Sequence, residues 1–216
     1  ITGPELLREA GISKGEVSLL TGCPPCQGFS TLQTRRRDAL GDDVRNDLIF
    51  EILRLTRSTR PQAVLVENVP GLARDWRFEE FCAGLTSAGY VHDHAVIDAQ
   101  NFGVPQRRKR LVFIALQGIS IPSGWAHPRL TKRTVRDAIA QLPAAGSSGD
   151  ALHDMPERRS AAVIERIRAT PPDGGSRKDI PASMGCECHT NSTGYNDVYG
   201  RMAWDAVAPT ITSGCS

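Results

Sequence analysis

The sequence predicts an α/β protein, a doubly wound, mostly parallel sheet carrying a smaller irregular lobe. Helical and strand patterns alternate along the first two thirds of the chain, the sequence signature of strands laid side by side with helices between them. The run at residues 63–66 is compact, apolar and bounded by Pro61, as in a strand buried on both faces. After Leu116 the texture changes, and from Asp173 onward Gly, Pro, Ser, Thr and Asn dominate. At 216 residues the chain can bury one good core and a smaller lobe. A division into residues 1–143 and 144–216 is expected, the small-residue stretch 144–149 acting as linker.

Residues 4–10 read as a short helix, and 16–21 as a strand that runs into a proline-rich cysteine loop. Residues 35–46 are charged and glycine-containing, a long exposed loop. Leu48, Ile49, Ile52, Leu53 and Leu55 then recur at helical spacing until Pro61 stops the helix. The strand at 63–66 is interrupted abruptly by Glu67-Asn68. Residues 78–88 form a second amphipathic helix closed by Gly89, followed by strands at 90–97 and 110–116. Residues 134–142 and 156–170 are further helices, the latter ended by Pro171-Pro172, and short strands are expected at 195–202 and 209–213. No repeat of fixed period is present. Ligands of parallel sheets bind beyond the carboxyl ends of strands, where both Cys26 and Glu67 fall.

The net charge of +2 is too small to indicate a nucleic-acid partner by itself, but its make-up is suggestive. Lys14, Lys109, Lys132 and Lys178 are the only lysines and arginine supplies the rest, the better fork for phosphate and guanine. There is no run of about eighteen apolar residues and no charged segment followed by an apolar one at the start. A soluble cytoplasmic protein is expected, and its six cysteines are then free thiols, metal ligands or a catalytic thiol rather than disulfides.

Cys26, in Gly22-Cys23-Pro24-Pro25-Cys26-Gln27-Gly28-Phe29-Ser30, has a stiff backbone before it and a permissive one after it. That suits a thiol held at one angle while a flat substrate approaches closely. Nearby arginines would favour the thiolate that attack requires. Taken by spacing alone, the Cys23/Cys26 pair instead favours a metal or redox site. Glu67 ends an apolar strand, where a carboxylate is costly unless paired or protonated; it is either a perturbed acid or a hydrogen-bonded strand end. In Gln106-Arg107-Arg108-Lys109-Arg110, strand geometry would put Arg108 and Arg110 on one face and Arg107 and Lys109 on the other. A solvated basic cluster is the commoner meaning of such a run, but this one opens onto a core strand. Cys186-Glu187-Cys188-His189 supplies three local ligands where zinc needs four, and no metal is expected.

Together these pieces resemble a known family. The cysteine loop, Val66-Glu67-Asn68-Val69 and the basic run preceded by Asn101-Phe102-Gly103-Val104-Pro105 are similar, in order and interval, to elements of the DNA cytosine-5 methyltransferases. Any one motif is weak and the ordered set is strong. Arg45-Asn46-Asp47-Leu48 resembles the segment after that family's catalytic loop, Thr134-Val135-Arg136-Asp137-Ala138-Ile139 the helix leaving its catalytic domain, and Tyr199-Gly200-Arg201-Met202 with Pro209-Thr210-Ile211-Thr212 the end of a target recognition region. Position 213 departs from the commoner leucine.

The resemblance implies a Rossmann-like methyltransferase sheet with a target recognition lobe, S-adenosylmethionine as cofactor and double-stranded DNA as partner. It implies Cys26 as nucleophile, with Glu67, Asn68, Arg108 and Arg110 as catalytic companions. Pro25 and Leu48 would meet the cofactor, and Gln27, Ser30, Arg35, Arg36, Arg37 and Thr212 the DNA. A transfer RNA cytosine-5 methyltransferase and a non-catalytic DNA-binding homologue are the alternatives. The family's glycine-rich cofactor turn and its final elements have no counterpart in the sequence. A partial protein is therefore expected, weak in cofactor binding by itself, acting as a monomer or with a partner chain that supplies the cofactor segment. Bacterial, nucleoid-associated localisation follows from the same resemblance.

Overall fold

The structure, a computed structural model, describes residues 1–25, 44–128, 130–186 and 198–211. They fall into two compact units, Ile1–Asp98 with Lys109–Pro128, and Ala99–Arg108 with Arg129–Ser216.

In the first unit, α1 (Gly3–Ala10) begins in a capping box: Thr2 Oγ1 accepts from Glu5 N, and Glu5 Oε2 accepts from Thr2 N. Helix α2 (Ile49–Thr59) buries Ile49, Ile52, Leu53 and Thr56, the helical spacing read in the sequence. It stops at Arg60, which takes a left-handed φ of 53°, ahead of Pro61, whose ring disfavours helical backbone in the residue before it. Helix α3 (Trp76–Ser87) is capped by Asp75, whose carboxylate accepts from Arg77 N, and buries Phe78, Phe81, Gly84 and Leu85. Gly84 lets α3 approach α2, since a Cβ there would stand 2.4 Å from Leu53 Cδ2.

Four strands form one sheet in the order β1-β2-β4-β3: β1 (Leu19–Gly22), β2 (Ala63–Asn68), β3 (Tyr90–Asp98) and β4 (Lys109–Gln117). The α/β class and alternation are as expected, and the sheet is mixed. β1 and β2 pair in parallel, joined through α2, whereas β4 runs antiparallel to both β2 and β3. Alternation in sequence does not reveal this, because an antiparallel neighbour can follow a ten-residue connection as readily as a helix can.

Side chains alternate across a sheet with period two, so register fixes the faces. Val64 and Val66 lie beside Ala115 and Phe113, and all four are at most 1% exposed. Phe78 and Phe81 of α3 pack on Phe113 with ring centroids 5.8 and 5.1 Å away. On the other face Leu65, Val112, Ile114 and Leu116 are half-buried, while Leu19 and Val91 are 51% and 45% exposed. The run at 63–66 is therefore buried on one face, not on both. Apolar residues on the second face gave it the appearance of a two-sided strand.

The second unit contains α4 (Val135–Ile139) and α5 (Ala161–Ala169), both shorter than expected, with turns between. Thr134 and Asp137 form a second capping box. The expected strands at 195–202 and 209–213 are not found in their described portions, 198–202 and 209–211, which are turn and irregular chain. A single parallel bridge instead joins Gln106 to Ala208, with Arg107 N donating to Ala208 O and Ala208 N to Pro105 O. Arg136 grips Asp205 through two hydrogen bonds of 2.7 and 2.9 Å and lies over the Trp204 ring. No helix among the described residues is long and apolar enough to cross a membrane.

Candidate active site

Strand parity brings three side chains to one end of the sheet's half-open face. Thr21 pairs with Leu65, so Cys23, two residues on, follows the direction of Glu67. Glu67 pairs with Val112 on β4, and Arg110 lies two residues before Val112 on the same face. The contacts agree: Arg110 Nε is 2.7 Å from Glu67 Oε1, and Cys23 Sγ donates to Glu67 Oε2 at 2.9 Å. Each carboxylate oxygen thus has its own donor, one a fixed cation and the other a weak neutral thiol.

The Glu67 side chain is 41% exposed and that of Arg110 22%. An ion pair so open to water contributes about 1 kcal/mol or less to stability. Its value is in orientation, because it holds one carboxylate oxygen, Oε1, in place. The carboxylate is paired, as its cost at a strand end required, but it is less buried than the apolar run suggested.

Asn68 points to the opposite face and is 3% exposed. Its Nδ2 donates to Pro24 O at 3.1 Å and its Oδ1 accepts from Val69 N at 2.8 Å. One side chain therefore ties the cysteine loop leaving β1 to the turn leaving β2. Thr21, Gly22, Cys23, Leu65 and Glu67 line a recess of about 180 Å³. Cavities that enclose a whole small ligand run from about 300 to 1,000 Å³, so these residues form a wall rather than an enclosure. A larger recess at Thr56, Arg57, Arg60, Ser87, Ala88 and Tyr90 lies at the other end of β2 and holds neither thiol nor carboxylate.

Of the other residues singled out in the sequence, Pro25 is exposed and Leu48, ending a 3₁₀ turn at Val44–Leu48, is 39% exposed. Arg108 belongs to the second unit, where its carbonyl accepts from Ala99 N at 3.0 Å. Along the basic run Arg107 and Lys109 are exposed and Arg108 and Arg110 half-buried, the alternation that strand geometry predicts. Thr210 Oγ1 donates to Arg107 O at 2.7 Å. Cys186 lies 4.0 Å from the Tyr199 hydroxyl. Cys26, Gln27, Ser30, Arg35, Arg36, Arg37, Cys188, His189 and Thr212 lie outside the described residues. Sequence reasoning treated Cys23 only as half of a C-x-x-C pair and missed its contact with Glu67. The signal was available, since Thr21 and Cys23 share a parity with Leu65 and Glu67 once β1 and β2 are set in parallel register.

A cysteine loop, a paired carboxylate and an arginine thus meet at one end of the sheet. Over residues 5–208 the chain matches the family of C-5 cytosine-specific DNA methylases, and it belongs to that family. It is 37% identical over 208 residues to Type II methylase M.HgiDII of Herpetosiphon aurantiacus, covering 92% of this chain and 57% of that protein. Type II methyltransferase M1.BsuMI of Bacillus subtilis is 34% identical over 206 residues, 92% of this chain and 46% of its own length. The chain thus spans about half the length of these relatives. Among solved structures, Entamoeba histolytica methyltransferase EhMeth shares the fold with a TM-score of 0.51 at 16% identity, over 80% of this chain and 50% of that one. A prophage-encoded protein of E. coli does so with a TM-score of 0.64 at 20% identity, over 97% and 66%.

Proposed function

We propose that this chain carries the base-activating half of an enzyme that methylates carbon 5 of cytosine in double-stranded DNA, with Cys26 as nucleophile. The observation that carries the reading is the Glu67 carboxylate, clamped by Arg110 at a strand end and tied through Asn68 to the loop that leads into Cys26. Carbon 5 of cytosine is a poor nucleophile. Cys26, as thiolate, adds to carbon 6 while ring nitrogen 3 takes the proton of Glu67, which enters the step as the carboxylic acid and leaves it as the carboxylate held by Arg110, and the ring becomes enamine-like at carbon 5. Arg110 holds Oε1 of Glu67, leaving Oε2 to meet the base. After carbon 5 is methylated, a water molecule takes the carbon 5 proton, the freed electron pair closes the 5–6 double bond and breaks the bond from carbon 6 to sulfur, releasing Cys26 as thiolate, and the proton on nitrogen 3 returns to Glu67. The ring face at carbon 6 is closed off in a stacked duplex, so the base must first be flipped out.

S-adenosylmethionine supplies the electrophilic methyl group. Pro25 and Leu48 both present apolar surface to solvent, which fits packing against a flat purine. Arg108 is assigned to the base, and Gln27, Ser30, Arg35, Arg36, Arg37 and Thr212 to the DNA backbone and groove, where arginine forks suit phosphate. Residues 144–216 form the target recognition region. The reaction belongs in the cytoplasm of a bacterium, on nucleoid DNA, alongside restriction-modification systems of the kind to which Type II relatives are named.

Duplex DNA bearing 5-fluorocytosine tests the reading, because fluorine cannot leave and the adduct with Cys26 persists. With S-adenosylmethionine and the wild-type protein, a covalent protein–DNA band is expected, and Cys26→Ala should abolish it. An adduct that survives Cys26→Ala refutes the nucleophile. Methyl transfer to transfer RNA but not to DNA refutes the substrate.

A further inference from the structure

We propose that Cys23 is a positioning residue for Glu67, keeping the carboxylate oxygen that faces the base aimed into the recess until the base arrives. The inference rests on the methyltransferase reading above. Its basis is the unequal pair of donors on one carboxylate. Arg110 holds Oε1 at 2.7 Å with a permanent charge, and that bond will not exchange for a neutral ring nitrogen. Oε2, 2.9 Å from the Cys23 thiol, is the oxygen left for chemistry. A thiol is a weak donor, so it can restrain Oε2 yet yield it to a stronger partner. Without Cys23, Glu67 keeps its ion pair but can pivot about it, since its side chain is 41% exposed.

The Cys23 side chain is exposed and lines the same recess as Thr21, Gly22, Leu65 and Glu67. Its direction is set by β1, whose parallel register with β2 runs from Leu19–Ala63 to Gly22–Val66. The following Pro24 is anchored through its carbonyl by Asn68. Position 23 is therefore held from both sides, as a residue must be if it is to orient another.

The experiment compares C23A and C23S with wild type in methyl transfer to duplex DNA, and records the S–H stretching band that C23A removes. Loss of one restraining hydrogen bond should lower kcat roughly 5-fold, the equivalent of about 1 kcal/mol, with KM for DNA unchanged. C23S, which keeps a donor at that place, should restore kcat to within about 2-fold of wild type on the same scale. The S–H band should move in the isosteric E67Q variant, whose amide is a weaker acceptor than a carboxylate. A C23A enzyme with wild-type kcat, a C23S enzyme as slow as C23A, or an S–H band unmoved in E67Q each overturns the proposal. If wild type itself transfers no methyl group and forms no adduct with 5-fluorocytosine DNA, the methyltransferase reading falls, and the band in E67Q alone then decides whether Cys23 restrains Glu67.

Discussion

Arg77 holds together two carboxylates, Asp47 and Asp75, that lie 28 residues apart in the sequence. Its side chain is 5% exposed; Nε reaches Asp47 Oδ1 at 2.5 Å, and Nη1 reaches Asp75 Oδ1 at 3.2 Å, where Asp75 is itself only 9% exposed. Asp47 sits on the 3₁₀ turn that ends in Leu48, and Asp75 caps α3, so one guanidinium pins the turn to the helix. Removing one partner of a buried pair leaves the other charge uncompensated, at about 3 kcal/mol or more. Arg77→Met should lower the unfolding free energy from urea titration by that amount, and Arg77→Lys should recover only part, because an ammonium lacks the planar fork. An unfolding free energy within about 0.5 kcal/mol of wild type for Arg77→Met, the ordinary scatter of surface changes, would remove Arg77 from this role. Cys82 permits a test by pH. Burial, followed by the nearby Glu79 charge, pushes its thiol up from 9.0 to about 11. A group whose folded pKa is raised stabilises fully below its unfolded pKa and ceases to do so as pH rises through the folded one. Stability should thus fall between pH 9 and 11, and less steeply in Cys82→Ala. Equal slopes in urea titrations across that window would show that the thiol stays protonated for no structural reason. Neither Arg77 nor Cys82 stood out in the sequence, since their importance comes from burial and from contacts over long separations.

At the scale of single elements, what could be read depended on how local the causes were. Helices α1 and α2 were legible because their caps, apolar spacing and proline stops are within the segment. The cysteine loop, Glu67 and the basic run were legible as an ordered set, and the alternation of exposure along residues 107–110 follows from strand geometry alone. The irregular unit was not, because its order comes from distant pairs such as Arg136 with Asp205 and Trp204 N with Asp173 Oδ1. One of its turns makes a prediction of its own. Asp154 accepts from Gly146 N, Ser148 N, Ser148 Oγ and Gly149 N at 2.7 to 3.1 Å, and these donors depress its carboxyl to about 2, the Ser148 amide first among them. A depressed folded pKa stabilises above the unfolded value and is lost as pH falls through the folded one. Those amides should therefore stay protected from hydrogen exchange until the pH drops below about 3.8 towards 2. In Asp154→Ala they should exchange freely at neutral pH while the amides of β4 do not change. Protection that persists in Asp154→Ala would mean that the backbone, not the carboxylate, organises the turn.

Across the whole molecule, the two faces of the sheet differ more than the sequence implied, and the difference bears on where chemistry can occur. The role proposed for Glu67 needs a face that a substrate can reach, and Cys23, Glu67 and Arg110 all lie on the half-open one. Phe113 and Ile114, adjacent on β4, measure the contrast. Phe113 is 0% exposed, against Val66 and His94 in register and the rings of Phe78 and Phe81. Truncating such a ring costs about 3–5 kcal/mol in lost transfer energy and cavity, and a lysine there would add an unpaired buried charge. Ile114 is half-buried between Leu65 and Asp93, and Asp93 already accepts from Trp125 Nε1 at 2.7 Å. A lysine at 114 can carry its ammonium past the apolar stem to water or to Asp93, so Ile114→Lys should lose roughly 1 kcal/mol or less, in the range of surface changes and open ion pairs. Phe113→Lys should leave no cooperative urea transition, whereas Ile114→Lys should keep one near the wild-type midpoint. If the two variants fail alike, both faces are core and the Glu67 wall is closed to a base. If they part as expected, the same asymmetry that lets the sheet tolerate a charge at position 114 supports the proposed access of a base to position 67.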